Sequence, residues 1–438
     1  MFDERRRVFF SRLRDASAVF FAAPETIRNN DVHNDYRQDS DFFYLTGFDE
    51  PSSVLVVSPQ QEPGNQIVLF LRTRNPEREI WDGERLGVER APEVLGVDRA
   101  FPIEELETRL PSYIEGARRV YYEMGREGHG EYDRTMLDAI AKARRARRRG
   151  VDTPGDLVDP AGVIHEMRLL KSDEEIEIMR RAAALTEQSH RRAMAVTRAG
   201  VKEYQIKAAM EFEWTMAGCE RHAYPAIVGS GPNACVLHYR AGAREMQDGE
   251  LVLVDAGCEV DYYACDVTRT WPVSGKFSKA QRTLYEIVLT AQEAAIGMCR
   301  VGIPFEVIHN KATRVLVEGL VEIGLLDGEI DDIIRDETFK RFYMHRTCHW
   351  LGMDVHDVGA YYLGGTSRAL EPGMVLTVEP GLYVSPTDMQ VPEEYRGIGI
   401  RIEDDVLITI DGPDVLTETI PKSVADVEAI VGTQQFGA

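Results

Sequence analysis

The sequence predicts an α+β protein of two domains, and three observations carry that prediction. The chain has 438 residues, more than one ordinary hydrophobic core supports. A connector rich in Pro, Gly and Asp at residues 151–160 (VDTPGDLVDP) separates stretches of different character. Beyond it the order helix, helix, strands with paired acids runs twice, a duplication of pattern rather than of residues. A strongly curved antiparallel sheet with two helix pairs on its outer face fits that order. The expected division is an N-terminal mixed α/β domain over residues 1–165 and an α+β domain over residues 166–438.

In the first domain, residues 18–22, 53–57, 66–71 and 120–122 are apolar runs of strand length between Pro, Gly and Asp clusters. Residues 103–114 and 132–148 have helical patterning. Residues 28–40 (RNNDVHNDYRQDS) predict a polar loop. The one dense basic run, residues 142–149 (KARRARRR), predicts a solvated helix face in a chain this acidic. Trp81 sits among charged residues and glycine, a setting for partial exposure, although core packing is the commoner fate of tryptophan.

In the second domain, Ser172 with Glu175 forms a capping-box pattern that opens a helix running to residue 199, closed by Gly200. A second helix spans residues 203–217. A glycine-rich loop (VGSGPNA) and a strand-like run at 235–239 follow. Ser278 with Gln281 caps a third helix to about residue 300, and Pro304 opens a fourth to about residue 326. Strand-like runs come at 349–355, 374–379 and 398–408.

Composition narrows the function. Hydrophobic content of 44% with 28% charged residues belongs to a soluble globular protein. A formal net charge of −22 argues against nucleic acid or an anionic membrane surface as a partner. The six cysteines lack zinc-finger or redox spacing, and no stretch approaches the ~20 apolar residues of a membrane span. The reading is a reduced, cytoplasmic protein with no nucleic-acid or membrane partner.

The chemistry centres on residues 251–271, LVLVDAGCEVDYYACDVTRTW. Alternation puts Leu251, Leu253 and Asp255 on one face of a strand, and Asp266, Thr268 and Thr270 on one face of a second. Folded as a hairpin, the two runs bring both acids onto the core face, where their repulsion and lost hydration demand a positive partner. The second half supplies Glu379 at the end of an alternating row, Arg401 and Glu403 in GIRIEDDV, and His349 in CHWLGMDVHD. Asp255, Asp266, His349, Glu379 and Glu403 are enough to bridge two divalent cations in a hydrolytic site. Oxygen-rich ligation with one nitrogen favours a hard or borderline ion such as Mn²⁺. Asp404 and Asp405 read either as supports for the ligands or as solvated turn acids.

DAGCEVDYYACDVTRTWPV, HWLGMDVHDVG, LEPGMVLTVEPGLYV and RGIGIRIEDDV resemble the metal-ligand motifs of the bacterial Xaa-Pro aminopeptidases (aminopeptidase P). These belong with methionine aminopeptidase and prolidase among the pita-bread metallopeptidases. The likeness runs nearly end to end and includes RNNDVHNDYRQDSDFFYLTGFDEPSSVLVV. It implies a C-terminal pita-bread catalytic domain and two metal ions, normally Mn²⁺, on Asp255, Asp266, His349, Glu379 and Glu403. It implies His238, His345 and His356 as further active-site histidines and Arg401 as the active-site arginine. Cys265 departs from the glycine expected before Asp266, adding volume beside a ligand while leaving every ligand in place. The implied reaction is hydrolysis of the bond between an N-terminal residue and a following proline. Glu379 would shuttle the proton and Glu403 bridge the metals. Prolidase, which cuts only dipeptides, is the alternative. Peptides with proline at position 2 are the implied substrates, and a homo-oligomer, dimer or tetramer, the implied assembly, in which a tryptophan in the region of Trp81 approaches a neighbouring active site.

Overall fold

The computed structural model describes residues 1–240 and 242–436, and the chain divides into two compact units, Met1–Met167 and Arg168–Ala438. In the first, six strands form one mixed sheet in the order Arg99–Pro102, Ile67–Leu71, Val54–Val57, Ala16–Phe21, Arg119–Tyr121, Asp156–Val158. Ala16–Phe21 is central, antiparallel to Val54–Val57 and parallel to Arg119–Tyr121, and all six of its residues are buried. A strand covered on both faces reads as a continuous apolar run, which is why the pattern found it. The helix Phe2–Leu13 was not expected. Its buried residues include Arg5 and Arg6, whose charge reads as surface. Arg6 instead donates to the Leu45 and Leu95 carbonyls at 2.8 and 2.6 Å.

Part of the expected loop at 28–40 is a short exposed hairpin, Ile27–Asn29 with Val32–His33. In the basic run, Arg144–Arg149 forms a 3₁₀ segment with its arginines exposed, as the solvated reading requires. Trp81 lies on Pro76–Asp82, a helix that buries none of its residues. Ile80 and Trp81 are 81% and 83% exposed, so core packing is excluded for this tryptophan within the chain.

In the second unit both capping boxes form. Ser172 and Glu175 open Asp173–Val196, and Ser278 and Gln281 open Lys279–Ile296. Glu203–Met216 and Phe305–Glu322 complete the two helix pairs. Antiparallel strands Ile227–Ser230, Leu251–Asp255 and Thr268–Pro272 make one sheet. Val375–Val378, Asp404–Thr409 and Gly412–Val415 make another, and Gly381–Tyr383 pairs with Gly399–Arg401. The expected α+β class is therefore observed, with the doubled order of helices and strands.

Three expected strands need correction. Residues 235–239 hold none: Cys235 ends the 3₁₀ turn Gly231–Cys235. Residues 349–355 form a loop in which only Trp350 bridges to Leu376. The run 398–408 breaks into Gly399–Arg401 and Asp404–Thr409, because the Glu403 N–H leaves its own sheet to bond the Thr268 carbonyl at 3.0 Å.

The two sheets are joined by a buried ion pair. Arg269 and Asp404 are fully buried and meet at 2.7 Å, and Lys422 approaches the second Asp404 oxygen at 2.6 Å. Arg269 also donates to the carbonyls of Thr268, Ile420 and Pro421. Burial alone would push the Asp404 carboxyl up, but Arg269 and Lys422 outweigh it and hold the group below the usual carboxylate range. A carboxylate with a depressed folded pKa contributes stability that is complete above its unfolded value of about 4 and is lost as pH falls through the folded value. Arg269→Met should cost about 3–5 kcal/mol by stranding a buried charge. Thermal unfolding followed from pH 7 downward should lose part of its acid-limb slope in Asp404→Asn; a slope identical to the parent's would contradict the assignment.

Candidate metal centre

One continuous hairpin carries the first two acids. Register runs Asp255↔Thr268, then Ala256 N–H to Val267 O and Cys265 N–H to Cys258 O, and ends in Glu259↔Ala264 and Val260↔Tyr263. The turn is Asp261–Tyr262, with positive φ at both residues (45° and 71°), as a two-residue hairpin loop of this hand requires. Asp266 thus lies across from Gly257, diagonal to Asp255 on the same face. The two carboxylates are diagonal neighbours, not directly opposed. Gly257 makes that approach possible, since a Cβ there would lie 1.8 Å from the Cys265 carbonyl oxygen.

The other half arrives by backbone pairing. The Glu379 N–H donates to Thr347 O at 2.7 Å and the Thr377 N–H to His349 O at 3.0 Å, setting Glu379 beside His349. Glu403 takes a hydrogen bond from the Thr268 hydroxyl at 2.7 Å. His349 Nδ1 faces the Trp350 carbonyl at 2.9 Å, which makes it the donor and leaves Nε2 toward Asp266 Oδ2 at 3.3 Å and Glu379 Oε1 at 3.8 Å. Asp266, His349 and Glu403 each offer one donor atom within 4.8 Å of the others. Asp255 stands to one side, accepting from Arg401 at 2.5 Å and from the Tyr224 hydroxyl at 2.6 Å.

These groups line a cavity of roughly 730 Å³, together with His238, His345 and His356. His345 Nε2 meets the Tyr383 hydroxyl at 2.8 Å, and that hydroxyl accepts from Arg401 at 2.9 Å. The His356 ring sits edge-on to His349, centroids 4.4 Å apart. Tyr224, Tyr383 and Thr268 are the polar groups that sequence reasoning gave no role. Only Thr268 carried a signal, its place in the row with Asp266. Asp404 and Asp405 are buried, so the solvated reading fails for both, and Asp405 accepts the Asp266 N–H at 3.1 Å.

The electrostatics test whether a cation fits. Burial raises the Asp255 carboxyl, and Arg401 only partly offsets it. Burial, together with repulsion from Asp266, Glu379 and Asp255, raises Glu403 well above its usual range. Glu379 is pushed up to about 8, chiefly by burial. Burial would lower His349, but its contact with Asp266 and the charge of Glu379 win and lift it to about 9. Protein groups alone therefore hold protons here, including one between His349 Nε2 and Asp266, and a divalent cation would take their place. One imidazole fixed by a carbonyl at its far nitrogen, among carboxylates, is a donor set that fits such an ion.

Residues 177–410 match the family model for metallopeptidase family M24, and residues 2–121 match that of the aminopeptidase P N-terminal domain. Xaa-Pro aminopeptidase of Escherichia coli (strain K12) is 45% identical over 98% of this chain and 97% of its own length. The chain belongs to the aminopeptidase P branch of metallopeptidase family M24. Its C-terminal unit is accordingly the pita-bread domain. The solved structure of Pseudomonas aeruginosa aminopeptidase PepP superposes with a TM-score of 0.95 at 46% identity, covering 98% of this chain and 97% of that one. Zinc-substituted E. coli aminopeptidase P in complex with product gives 0.93 at 45% identity, with the same coverage.

Because a Cβ at Gly257 meets main chain and not a flexible side chain, Gly257→Ala must displace the strand that presents Asp266. The expected outcome is about 1–3 kcal/mol lost stability and a lower bound-metal stoichiometry after dialysis, read by a thermal melt and elemental analysis. A variant with parental metal content and midpoint would show that the close strand approach is not required.

Proposed function

We propose that the protein is a metal-dependent Xaa-Pro aminopeptidase in which Asp255, Asp266, His349, Glu379 and Glu403 hold two divalent ions, Mn²⁺ by preference. The observation that carries this reading is the convergence of Asp266, His349 and Glu403 donor atoms among buried acids in one cavity. When bound, two such ions supply Lewis acidity, lowering the pKa of water and polarising a carbonyl.

The protein's own groups divide the remaining work. A prolyl peptide bond has no N–H, so recognition cannot grip the scissile bond through a donor there. Apolar wall residues such as Ile227, Phe305 and Tyr361 suit the ring and its neighbour. Glu379 accepts the proton of the attacking water at its carboxylate and returns it to the leaving prolyl nitrogen. His356 and His238 donate toward the oxygen that becomes negative as the carbonyl turns tetrahedral. His345 holds the Tyr383 hydroxyl, and through it Arg401, which orients Asp255 to receive the free α-amino group. That last contact restricts attack to the chain end.

Self-association into a dimer or tetramer is proposed through the exposed Ile80–Trp81 face, with sedimentation at graded concentrations as its measure. Among the described residues no helix is long and apolar enough to cross a membrane.

Chelation should abolish hydrolysis of Xaa-Pro-Xaa and Mn²⁺ should restore it, while Asp266→Asn should weaken metal retention. Full activity after verified metal removal would overturn the dinuclear reading, and activity confined to Xaa-Pro dipeptides would favour prolidase. Glu379→Gln should cut kcat by about 10²-fold or more. His356→Ala should slow turnover at unchanged metal content; if it strips metal instead, His356 belongs with the ligands.

A further inference from the structure

Arginines in this acidic chain are commonly paired with an acid, as Arg221, Arg244 and Arg341 are. Two at the cavity are not. Arg346, directly after His345, and Arg240, two residues beyond His238, are exposed, line the cavity and form no ion pair among the described residues. Among the described residues the one side-chain hydrogen bond of Arg346 runs from Nη2 to the Tyr362 hydroxyl at 3.5 Å, and Tyr362 also lines the cavity. The acids lining the cavity are Asp255, Asp266, Glu379 and Glu403. Once divalent ions offset those four, the charge left facing the cavity is positive, within a chain of formal charge −22.

A cleft with low-dielectric walls concentrates the field of such groups. A guanidinium also matches a carboxylate with two parallel N–H donors. A substrate seated with its α-amino group at Asp255 puts positive charge there, and the two free arginines repel that end. The end of a short peptide that carries negative charge is its C-terminal part.

Resting on the aminopeptidase reading above, we propose that Arg346, assisted by Arg240, binds a substrate carboxylate on the leaving side of the proline. The carboxylate is either the C-terminus of a tripeptide or an acidic side chain following the proline. The enzyme would then favour short or acidic Xaa-Pro peptides over neutral ones.

Two matched substrate pairs test this on the Mn²⁺-loaded enzyme: Ala-Pro-Ala against its C-terminal amide, and Ala-Pro-Glu amide against Ala-Pro-Gln amide. The expected result is a KM lower by about three- to ten-fold for the acid member of at least one pair. A gain in the first pair alone identifies the C-terminal carboxylate, and in the second alone the side chain. The KM ratio should collapse toward one in the Arg346→Gln, Arg240→Gln double variant and at about 0.5 M salt. Calorimetric binding of Pro-Ala and Pro-Ala amide gives the same comparison without turnover. Equal KM within both pairs, or a ratio that survives the double variant, overturns the proposal. Absence of hydrolysis for every Xaa-Pro peptide would instead overturn the aminopeptidase reading, and calorimetry would still decide the carboxylate site.

Discussion

Four carboxylates crowded into one cavity, Asp255, Asp266 and Glu403 buried and Glu379 partly so, are the constraint on which this structure depends. Asp255, Asp266, Glu379 and Glu403 repel one another and lose hydration, a combination costing several kcal/mol per charge unless each is partnered. The surroundings answer group by group. Asp255 has Arg401 and Tyr224, Glu403 has the Thr268 hydroxyl, and Asp266 has His349. A second layer repeats the solution one step further in, where Arg269, Lys422 and Gln292 surround Asp404. What protein groups leave uncompensated is a site suited to divalent cations, where burial first and neighbouring acids second raise Glu379 and Glu403.

The doubled topology explains how so costly an arrangement assembles. Each half brings acids to strand ends, where alternation turns them toward the interior and the ladder stops covering them. Neither half is a site alone. They are stitched by contacts made at the acids themselves: Glu403 N–H to Thr268 O, Arg401 Nε to Thr268 Oγ1, and the Thr270 hydroxyl to the Arg401 carbonyl. The contacts that pack the two sheets together are also the ones that set the positions of the donor groups. Within the first half, Gly257 lets the two hairpin strands approach so closely that even a methyl group has no room.

Hydrogen-bond direction then assigns tasks to chemically similar residues. His349 and His345 are four residues apart in sequence and both come near the Glu379 carboxylate, at 3.8 and 3.7 Å, yet their rings take different partners. The Trp350 carbonyl fixes the far nitrogen of His349 and points the near one at the acids. The Arg346 carbonyl fixes Nδ1 of His345, so its Nε2 accepts from Tyr383 and holds the Arg401 tether. The ion-pairing Asp–Arg–Tyr–His chain that results spans one wall of the cavity without requiring a charged imidazole, and burial beside Arg401 pushes His345 down to about 3.

Much of this was legible in the residues. Period-two alternation set Asp255 and Asp266 on one face, capping boxes located two long helices to their first residue, and the motifs around the acids carried the family resemblance. These are local properties, written in spacings of a few residues. Only the tertiary structure decided the rest, because it depends on contacts between residues tens of positions apart, for which a sequence has no periodicity. Arg6 reads as surface and is buried, since its partners are carbonyls of residues far along the chain. Residues 349–355 alternate like a strand and form a loop, because their backbone partners serve to seat His349 beside Glu379. Tyr224 and Tyr383 lie in unremarkable runs and take their roles from where Asp255 and Arg401 happen to end. By itself the sequence determined which side chains could do the chemistry. Packing decided which of them meet, since distance between side chains is a property of the fold and not of the spacing along it.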